Sequence, residues 1–193
     1  MSNGTKVKKR DGRIEPLDLD KMHLMVEEAC QGLAGVSASQ VEMKSGIQFY
    51  DGITTEEIQE ILIRAASDLI DLDHPNYQFV AARLLLFALR KQLYGKMRDL
   101  PSLEDHIYSC VNAEVYDPEI YSKYSLEEIQ KADTYIDHTR DFMFTYAGLR
   151  QVADKYLVQD RSSGGVYETP QFMYMLIALT IFAEYPKDTR MSY

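Results

Sequence analysis

The residues at the N-terminus that could do chemistry form a cluster of cations. Lys and Arg occupy five of the first thirteen positions, although the 193-residue chain has a formal net charge of −9. The basic positions are Lys6, Lys8, Lys9, Arg10 and Arg13. Asp11 and Gly12 form a two-residue turn signal, because Gly tolerates positive φ and Asp can bond its own backbone. The pattern predicts a cationic β-hairpin.

A helix is predicted directly after this hairpin. Asp18 is a suitable N-cap, because its carboxylate can accept from the free N–H groups of the first turn. Cations beside a helix N-terminus attract phosphate through side-chain charge, backbone donors and the helix dipole. The alternative is an ordinary solvated hairpin with a charged edge, and composition alone favours that alternative.

The overall composition restricts the classes of partner. With 46% apolar and 26% charged residues, the chain is typical of a soluble globular protein. Its acidic balance argues against nucleic-acid and membrane binding, whereas a small polyanion would suit the basic cluster. Two Cys without a CxxC pair and four His without metal-ligand spacing predict no disulfide framework and no metal site. The absence of a signal peptide or long apolar run predicts a cytoplasmic location, in the host cytoplasm if the source is viral.

Helical periodicity divides the chain into two predicted units, 1–95 and 96–193. The first should contain four helices under the hairpin, with capping boxes at Ser37 and Thr54. The second should be helical, with a third capping box at Ser125 and one small hairpin around Arg161–Gly165. Its last helix, Gln171–Ala183, begins after Thr169 and is apolar on nearly every face, which predicts burial in something large.

Four segments of the first unit resemble a known module. They are Val7–Gly12, Leu17–Lys21, Ile47–Thr55 and Tyr77–Leu84. In this order and spacing they are similar to the ATP-cone of ribonucleotide reductase large subunits. The resemblance implies a β-hairpin capping a four-helix bundle, with ATP or dATP bound between them as an allosteric effector, together with Mg²⁺. It favours the nucleotide site over the solvated hairpin.

The resemblance also implies roles for individual positions. Lys9, Arg10 and Lys91 would pair with phosphate, Thr55 would help hold the nucleotide, and the segment from Glu15 to Lys21 would wrap the base and ribose. Asp18 would lie at the adenine edge. The complete implied set is Lys9, Arg10, Glu15, Pro16, Leu17, Asp18, Leu19, Asp20, Lys21, Thr55 and Lys91.

Two positions depart from the pattern of strongly regulated members. Gln59 and Ala88 stand where such members often carry histidines. Gln59 can still form a hydrogen bond and Ala88 cannot. The response to dATP as opposed to ATP therefore stays open.

The second unit carries the more specific part of the resemblance. The segments Asp137–Asp141, Lys155–Val158 and Tyr167–Tyr174 are similar to the region that leads into the catalytic barrel of class I ribonucleoside-diphosphate reductases. The implied fold is mainly α: a four-helix ATP-cone capped by a β-hairpin, then a helical domain with one small hairpin that leads into an α/β barrel outside this chain.

The resemblance implies the N-terminal portion of a reductase large subunit, which supplies the activity site for ribonucleotide reduction in DNA synthesis. Its expected partners are the C-terminal catalytic remainder, a radical-bearing small subunit and a second copy of the complete large subunit. The family's catalytic cysteines lie beyond this sequence, so no catalytic residue is expected here and the chain alone should be inactive. The alternative is a stand-alone nucleotide-sensing regulatory protein.

Two groups of residues could suggest further chemistry. Cys30 and Cys110 lie on predicted amphipathic helices outside any redox motif, so core or surface roles are favoured. Asp137, His138 and Asp141 could suggest an acid–base site. With no nucleophile and no Gly-rich loop near them in the sequence, capping and salt-bridge roles are favoured.

Overall fold

The computed structural model describes residues 5–46, 48–160 and 162–192. Ile47 and Arg161, which the sequence analysis includes in a motif and in a hairpin, lie outside the described residues. The chain forms two compact units: residues up to Ala88 with Phe142–Arg150, and Leu89–Asp141 with the residues from Gln151 onward. The predicted boundary at residue 95 stays a prediction.

The predicted N-terminal hairpin is confirmed, but its loop has three residues, 10–12, instead of two, because the N–H of Lys9 donates to the Arg13 carbonyl at 2.8 Å. Strands β1 (Lys6–Lys8) and β2 (Ile14–Pro16) pair antiparallel, with Val7 opposite Glu15. Gly12 has a φ of +85°, the left-handed conformation that the turn requires and that Gly adopts without steric cost.

A third strand was not predicted. β3 (Ile53–Thr54) pairs parallel with β1, and Val7 lies opposite Ile53, so the sheet order is β2-β1-β3. Val7 and Ile53 are 2% and 0% exposed, so this pairing buries an apolar contact at the centre of the sheet. The preceding turn is fixed to β1, since the N–H of Gly52 donates to the Lys6 carbonyl at 2.8 Å.

The four helices predicted for residues 1–95 are present. They are α1 (Leu19–Cys30), α2 (Ala38–Gly46), α3 (Thr55–Ser67) and α4 (Tyr77–Tyr94). Asp18 caps α1, with its carboxylate accepting from the N–H of Lys21 at 2.9 Å. Thr54 and Glu57 form the predicted capping box of α3. Apolar side chains along these helices, including Val26, Val41 and Leu62 at 0% exposure, form the core beneath the sheet.

The helices that follow are α5 (Leu103–Asn112), α6 (Ile120–Lys123), α7 (Leu126–Asp133), α8 (Tyr146–Lys155) and α9 (Pro170–Ile181). Ser125 and Glu128 form the third predicted capping box. Side chains from α5, α7 and α9 form the core of the second unit: Leu103, Ile107, Ile129, Ala132, Phe172 and Leu179.

The predicted small hairpin of the second unit is confirmed, whereas the start of α9 differs from the prediction in one detail. In the described residues of the hairpin, Gln159 forms an antiparallel bridge with Val166, and the N–H groups of Asp160 and Tyr167 donate across it to the carbonyls of Gly165 and Val158 at 2.8 Å. Thr169 occupies the N-cap position of α9, but its side chain caps none of the described N–H groups of that helix. Pro170 at the first position supplies the helix start instead.

Helix α9 is buried along only part of its surface. Phe172 and Leu179 lie in the core of the second unit, whereas Tyr174, Ile177 and Ile181 are 47%, 49% and 61% exposed. The prediction that this helix is buried in something larger stays a prediction. Within the described residues, no helix combines the length and apolar character needed to cross a membrane.

Candidate nucleotide-binding site

The pairing of β1 with β3 positions Arg10 beside the N-terminus of α3. Lys8 lies opposite Thr54, so the chain that leaves β1 passes the first turn of α3. The Arg10 guanidinium donates from Nε to the Glu56 carboxylate and from Nη2 to Gln59 Oε1 at 3.1 Å. The Thr55 hydroxyl donates to Glu56 Oε2 at 3.1 Å. Arg10 and Thr55 both belong to the set of nucleotide-binding residues that the resemblance implies. Both therefore donate to the same carboxylate.

This carboxylate is charged at neutral pH. Burial disfavours its charge, but hydrogen bonds from Arg10, its own backbone and Thr55 outweigh that effect and hold the pKa of Glu56 below its ordinary value. The Glu56 side chain is 47% exposed. Gln59, by contrast, is 7% exposed, so its amide holds Arg10 from the buried side of α3.

A second group of ion pairs follows the hairpin itself. Lys9 Nζ lies 3.4 Å from Glu15 Oε2, and Arg13 donates to Glu15 Oε1 at 2.9 Å. Arg13 also donates to Asp11 at 2.7 Å, and that bond lowers the pKa of Asp11. Exposed ion pairs of this kind contribute little to stability, so their cations can change partners.

The segment from β2 into α1 is largely exposed. The N–H of Leu17 donates to the Thr5 carbonyl at 2.8 Å, which fixes the segment to the start of β1. Asp18 uses Oδ1 for the cap, and a carboxylate has further acceptor positions beyond that bond. Leu19, at 58% exposure, begins the first turn of α1, and Asp20 follows it.

The starts of the two helices lie at opposite ends of β1. Pro16, which precedes α1, pairs with Lys6, and Thr54, which precedes α3, pairs with Lys8. Two residues of strand correspond to about 7 Å along β1, and the two outer strands are about 10 Å apart across the sheet, so the separation of about 12 Å is within the length of a triphosphate nucleotide. Lys91 lies in the last turn of α4. It belongs to the second compact unit, and its role stays a prediction from the resemblance.

Sequence reasoning missed the contacts that Glu56 and Gln59 make with Arg10. The sequence gives Glu56 no individual role, and Gln59 stands out only as a departure from a family pattern. The partners are 46 and 49 residues apart, and a two-residue strand brings them together. No local pattern predicts such a contact, but an acid in the first turn of a predicted helix, in a chain with predicted cations, is the available signal.

The second unit contains a chain of buried polar groups. Tyr116 donates its hydroxyl proton to the Glu168 carboxylate, and Nε2 of His106 lies 3.0 Å from the Tyr116 oxygen. Burial lowers the pKa of His106 to about 4, so it is neutral at pH 7. Cys110 Sγ lies 3.9 Å from His106 Nε2, and burial raises the pKa of this thiol to about 11. An activated thiolate is therefore disfavoured here, and Cys30 has the same pKa of about 11 for the same reason.

The predicted roles of the acidic residues after α7 are confirmed. Asp137 accepts from the N–H and hydroxyl of Thr139 at 2.9 and 2.6 Å. Asp141 is 1% exposed and accepts from Arg90 at 3.4 Å and from Gln171 at 2.9 Å. Among the described residues, His, Cys, Asp and Glu side chains form no group of three that could hold a metal ion.

Comparisons with known proteins identify two domains in the sequence. The sequence matches the ATP cone domain over residues 5–92 and the all-alpha domain of ribonucleotide reductase over residues 142–193. It is 48% identical over all 193 residues to ribonucleoside-diphosphate reductase 1 subunit alpha of Escherichia coli (strain K12). Identity to the alpha subunit of Haemophilus influenzae is also 48%, and to that of Enterobacteria phage T4 it is 44% over 182 residues.

The chain spans about a quarter of the length of these relatives. Their names fit the interpretation as part of a reductase subunit rather than the alternative of a stand-alone sensor. By sequence, the chain has an ATP cone domain followed by the all-alpha domain of ribonucleotide reductase, and it corresponds to the N-terminal quarter of ribonucleoside-diphosphate reductase alpha subunits.

Proposed function

We propose that the chain is the effector-binding N-terminal part of a ribonucleoside-diphosphate reductase large subunit, and that it binds ATP or dATP at the hairpin and the first turn of α3. The observation that carries the proposal is the convergence of Arg10 and Thr55 on a single anion. Guanidinium and hydroxyl donors beside a helix N-terminus form a phosphate site.

Each residue of the site has a proposed role. Lys9 and Arg10 bind phosphate, and Thr55 binds the phosphate nearest α3. The segment Glu15, Pro16, Leu17, Asp18, Leu19, Asp20 and Lys21 wraps the base and ribose. Asp18 accepts from the adenine amine with a lone pair that the cap does not use. Lys91 is included as a third cation on the resemblance alone.

The donor set fits a nucleotide bound with Mg²⁺. Mg²⁺ is commonly held by substrate phosphates and a few carboxylates rather than by a cage of protein ligands. The bound ion would neutralise part of the triphosphate charge. Its ligands would be the phosphates themselves, with Glu56 the nearest described carboxylate to Arg10 and Thr55.

The complete protein would convert ribonucleoside diphosphates to deoxyribonucleotides for DNA synthesis. It would do so in the cytoplasm of its cell, or of the host cell if the source is viral. Residues 1–95 would form the effector domain and 96–193 the helical domain before the catalytic barrel. We propose that the barrel covers the exposed side of α9, since Tyr174, Ile177 and Ile181 are apolar and unburied. A small subunit that carries the radical and a second large subunit would complete the enzyme.

Isothermal titration of the chain with ATP, dATP and GTP tests the proposal. We expect saturable binding of ATP and dATP and clearly weaker binding of GTP, because Asp18 accepts from an exocyclic amine that guanine does not carry at the same position. With Ala88 in place of a polar side chain, ATP and dATP should bind with similar affinity. Equal binding of GTP and ATP, or no binding of ATP, would contradict the proposal.

A further inference from the structure

The Glu56 carboxylate occupies the donors that the proposed function assigns to phosphate. It accepts from Arg10 Nε and from the Thr55 hydroxyl, and it lies in the first turn of α3, where the helix dipole favours an anion. A carboxylate at this place resembles a bound phosphate in charge, acceptor geometry and choice of partners.

We propose that Glu56 is an internal competitor for the effector: its carboxylate must leave Arg10 and Thr55 before the nucleotide phosphate can bind them. This inference rests on the proposed function, because it concerns the affinity of the same site. In this proposal Glu56 regulates the affinity for the effector and does not itself bind the nucleotide.

The competition follows from the donors that Glu56 already uses and from its negative charge. Arg10 donates from Nη2 to Gln59, which is 7% exposed, and from Nε to Glu56, so the carboxylate takes the Nε position on the face of the guanidinium beside Thr55. A phosphate that approached with Glu56 still in place would meet a like charge at contact distance, which is unfavourable. Displacing Glu56 releases both the Nε donor and the Thr55 hydroxyl for the phosphate.

The structure also shows why Glu56 can leave and Gln59 stays. The Glu56 side chain is 47% exposed, so water can solvate the released carboxylate. Gln59 is nearly buried, so leaving its amide oxygen without a donor would cost more. Gln59 is therefore a positioning residue that keeps the guanidinium oriented while Glu56 exchanges with phosphate.

Titration of the full chain with ATP tests the competition. Glu56→Gln removes the charge and keeps the size of the side chain, so it should tighten ATP binding about three- to tenfold. Glu60→Gln is the matched control. It lies one turn further along α3, is 56% exposed, and pairs with Arg150 at 3.1 Å instead of with the hairpin. We expect the control to change affinity less than about twofold.

A double-mutant cycle separates local competition from a general gain of positive charge. In the Arg10→Ala background, Glu56→Gln should lose most of its effect, because the shared donor is gone. Thermal unfolding checks each variant, and Glu56→Ser, which suits a first helical turn, repeats the test if Glu56→Gln does not fold.

The outcomes distinguish the two proposals. ATP binding by the unmodified chain with equal or weaker binding by Glu56→Gln overturns the competition and leaves the proposed function in place. A gain that persists fully without Arg10 also overturns it. If neither the unmodified chain nor Glu56→Gln binds ATP, both proposals fail.

Discussion

Two Arg–carboxylate pairs use the same chemistry in opposite surroundings. In the hairpin region, Arg10 meets Glu56 with side chains 37% and 47% exposed. In the second unit, Arg90 meets Asp141 with side chains 5% and 0% exposed. Breaking the first pair returns its charges to water, whereas breaking the second leaves a charge in a low-dielectric interior. The exposed pair can therefore exchange for a ligand, and the buried pair is structural.

The polar chain of the second unit extends this contrast. His106, Tyr116 and Glu168 satisfy one another inside the protein, and His106 stacks on Phe172 with ring centroids 4.2 Å apart. The cations of the hairpin instead meet acids at the surface. Polar groups that are fully committed to internal partners hold a fold together, and polar groups with exchangeable partners are available for binding.

The largest effect should come from the buried pair. Asp141→Ala leaves Arg90 without its carboxylate, so we expect a loss of about 3 kcal/mol in the free energy of unfolding. Denaturant unfolding measures this loss. Asp137→Ala, in which the lost side chain is 50% exposed, should cost less than about 1 kcal/mol. Similar losses for both variants would show that burial does not set Asp141 apart from an exposed acid, and would remove the structural role of the buried pair.

The next effect concerns binding. Lys9→Ala should weaken ATP binding about ten- to a hundredfold, since a charge-assisted contact with phosphate contributes about 1.5–3 kcal/mol. Lys8→Ala is the control, because Lys8 is exposed and points to the opposite side of β1 from the buried Val7. Both lysines are compared by isothermal titration, and unchanged affinity in Lys9→Ala would remove Lys9 from the site.

The buried polar chain should make stability dependent on pH. Burial lowers the pKa of His106 from 6.5 to about 4, so between these values the unfolded chain binds more protons and the folded state loses stability as pH falls. From pH 7 to pH 5 this histidine should account for about 2 kcal/mol. Burial raises the pKa of Glu168, which opposes part of the loss.

Urea unfolding at pH 7 and pH 5 measures this dependence. His106→Gln should reduce the difference between the two pH values, whereas His74→Gln should not, because His74 lies at the surface. A pH difference that is the same in His106→Gln and the unmodified chain would show that His106 is not the group responsible.

The sequence predicts those parts of the fold that local chemistry determines. The turn at Gly12, the cap at Asp18 and the capping boxes at Thr54 and Ser125 all depend on residues within a few positions of one another. β3 was missed because two residues carry no periodicity, and its parallel pairing with β1 depends on contacts about 46 residues away. Without that pairing, neither the contact of Arg10 with Glu56 nor that with Gln59 could be predicted.

The smallest predicted effect is on base selectivity. Asp18→Asn keeps a side chain that can cap α1 but replaces the charged acceptor, so ATP affinity should fall only slightly while the preference for ATP over GTP narrows. Titration with both nucleotides gives the ratio of their dissociation constants. An unchanged ratio would mean that Asp18 acts only as the helix cap seen in the structure.

The central claim is that the cations in contact with α3 bind the effector, and a comparison of two hairpin arginines tests it most directly. Arg10 contacts Glu56 and Gln59 of α3, whereas Arg13 contacts only acids of its own hairpin in the described structure. Titration with ATP should show binding weakened at least about tenfold in Arg10→Ala. In Arg13→Ala it should be within about threefold of the unmodified chain. Equal losses in both variants, or no loss in Arg10→Ala, would contradict the account.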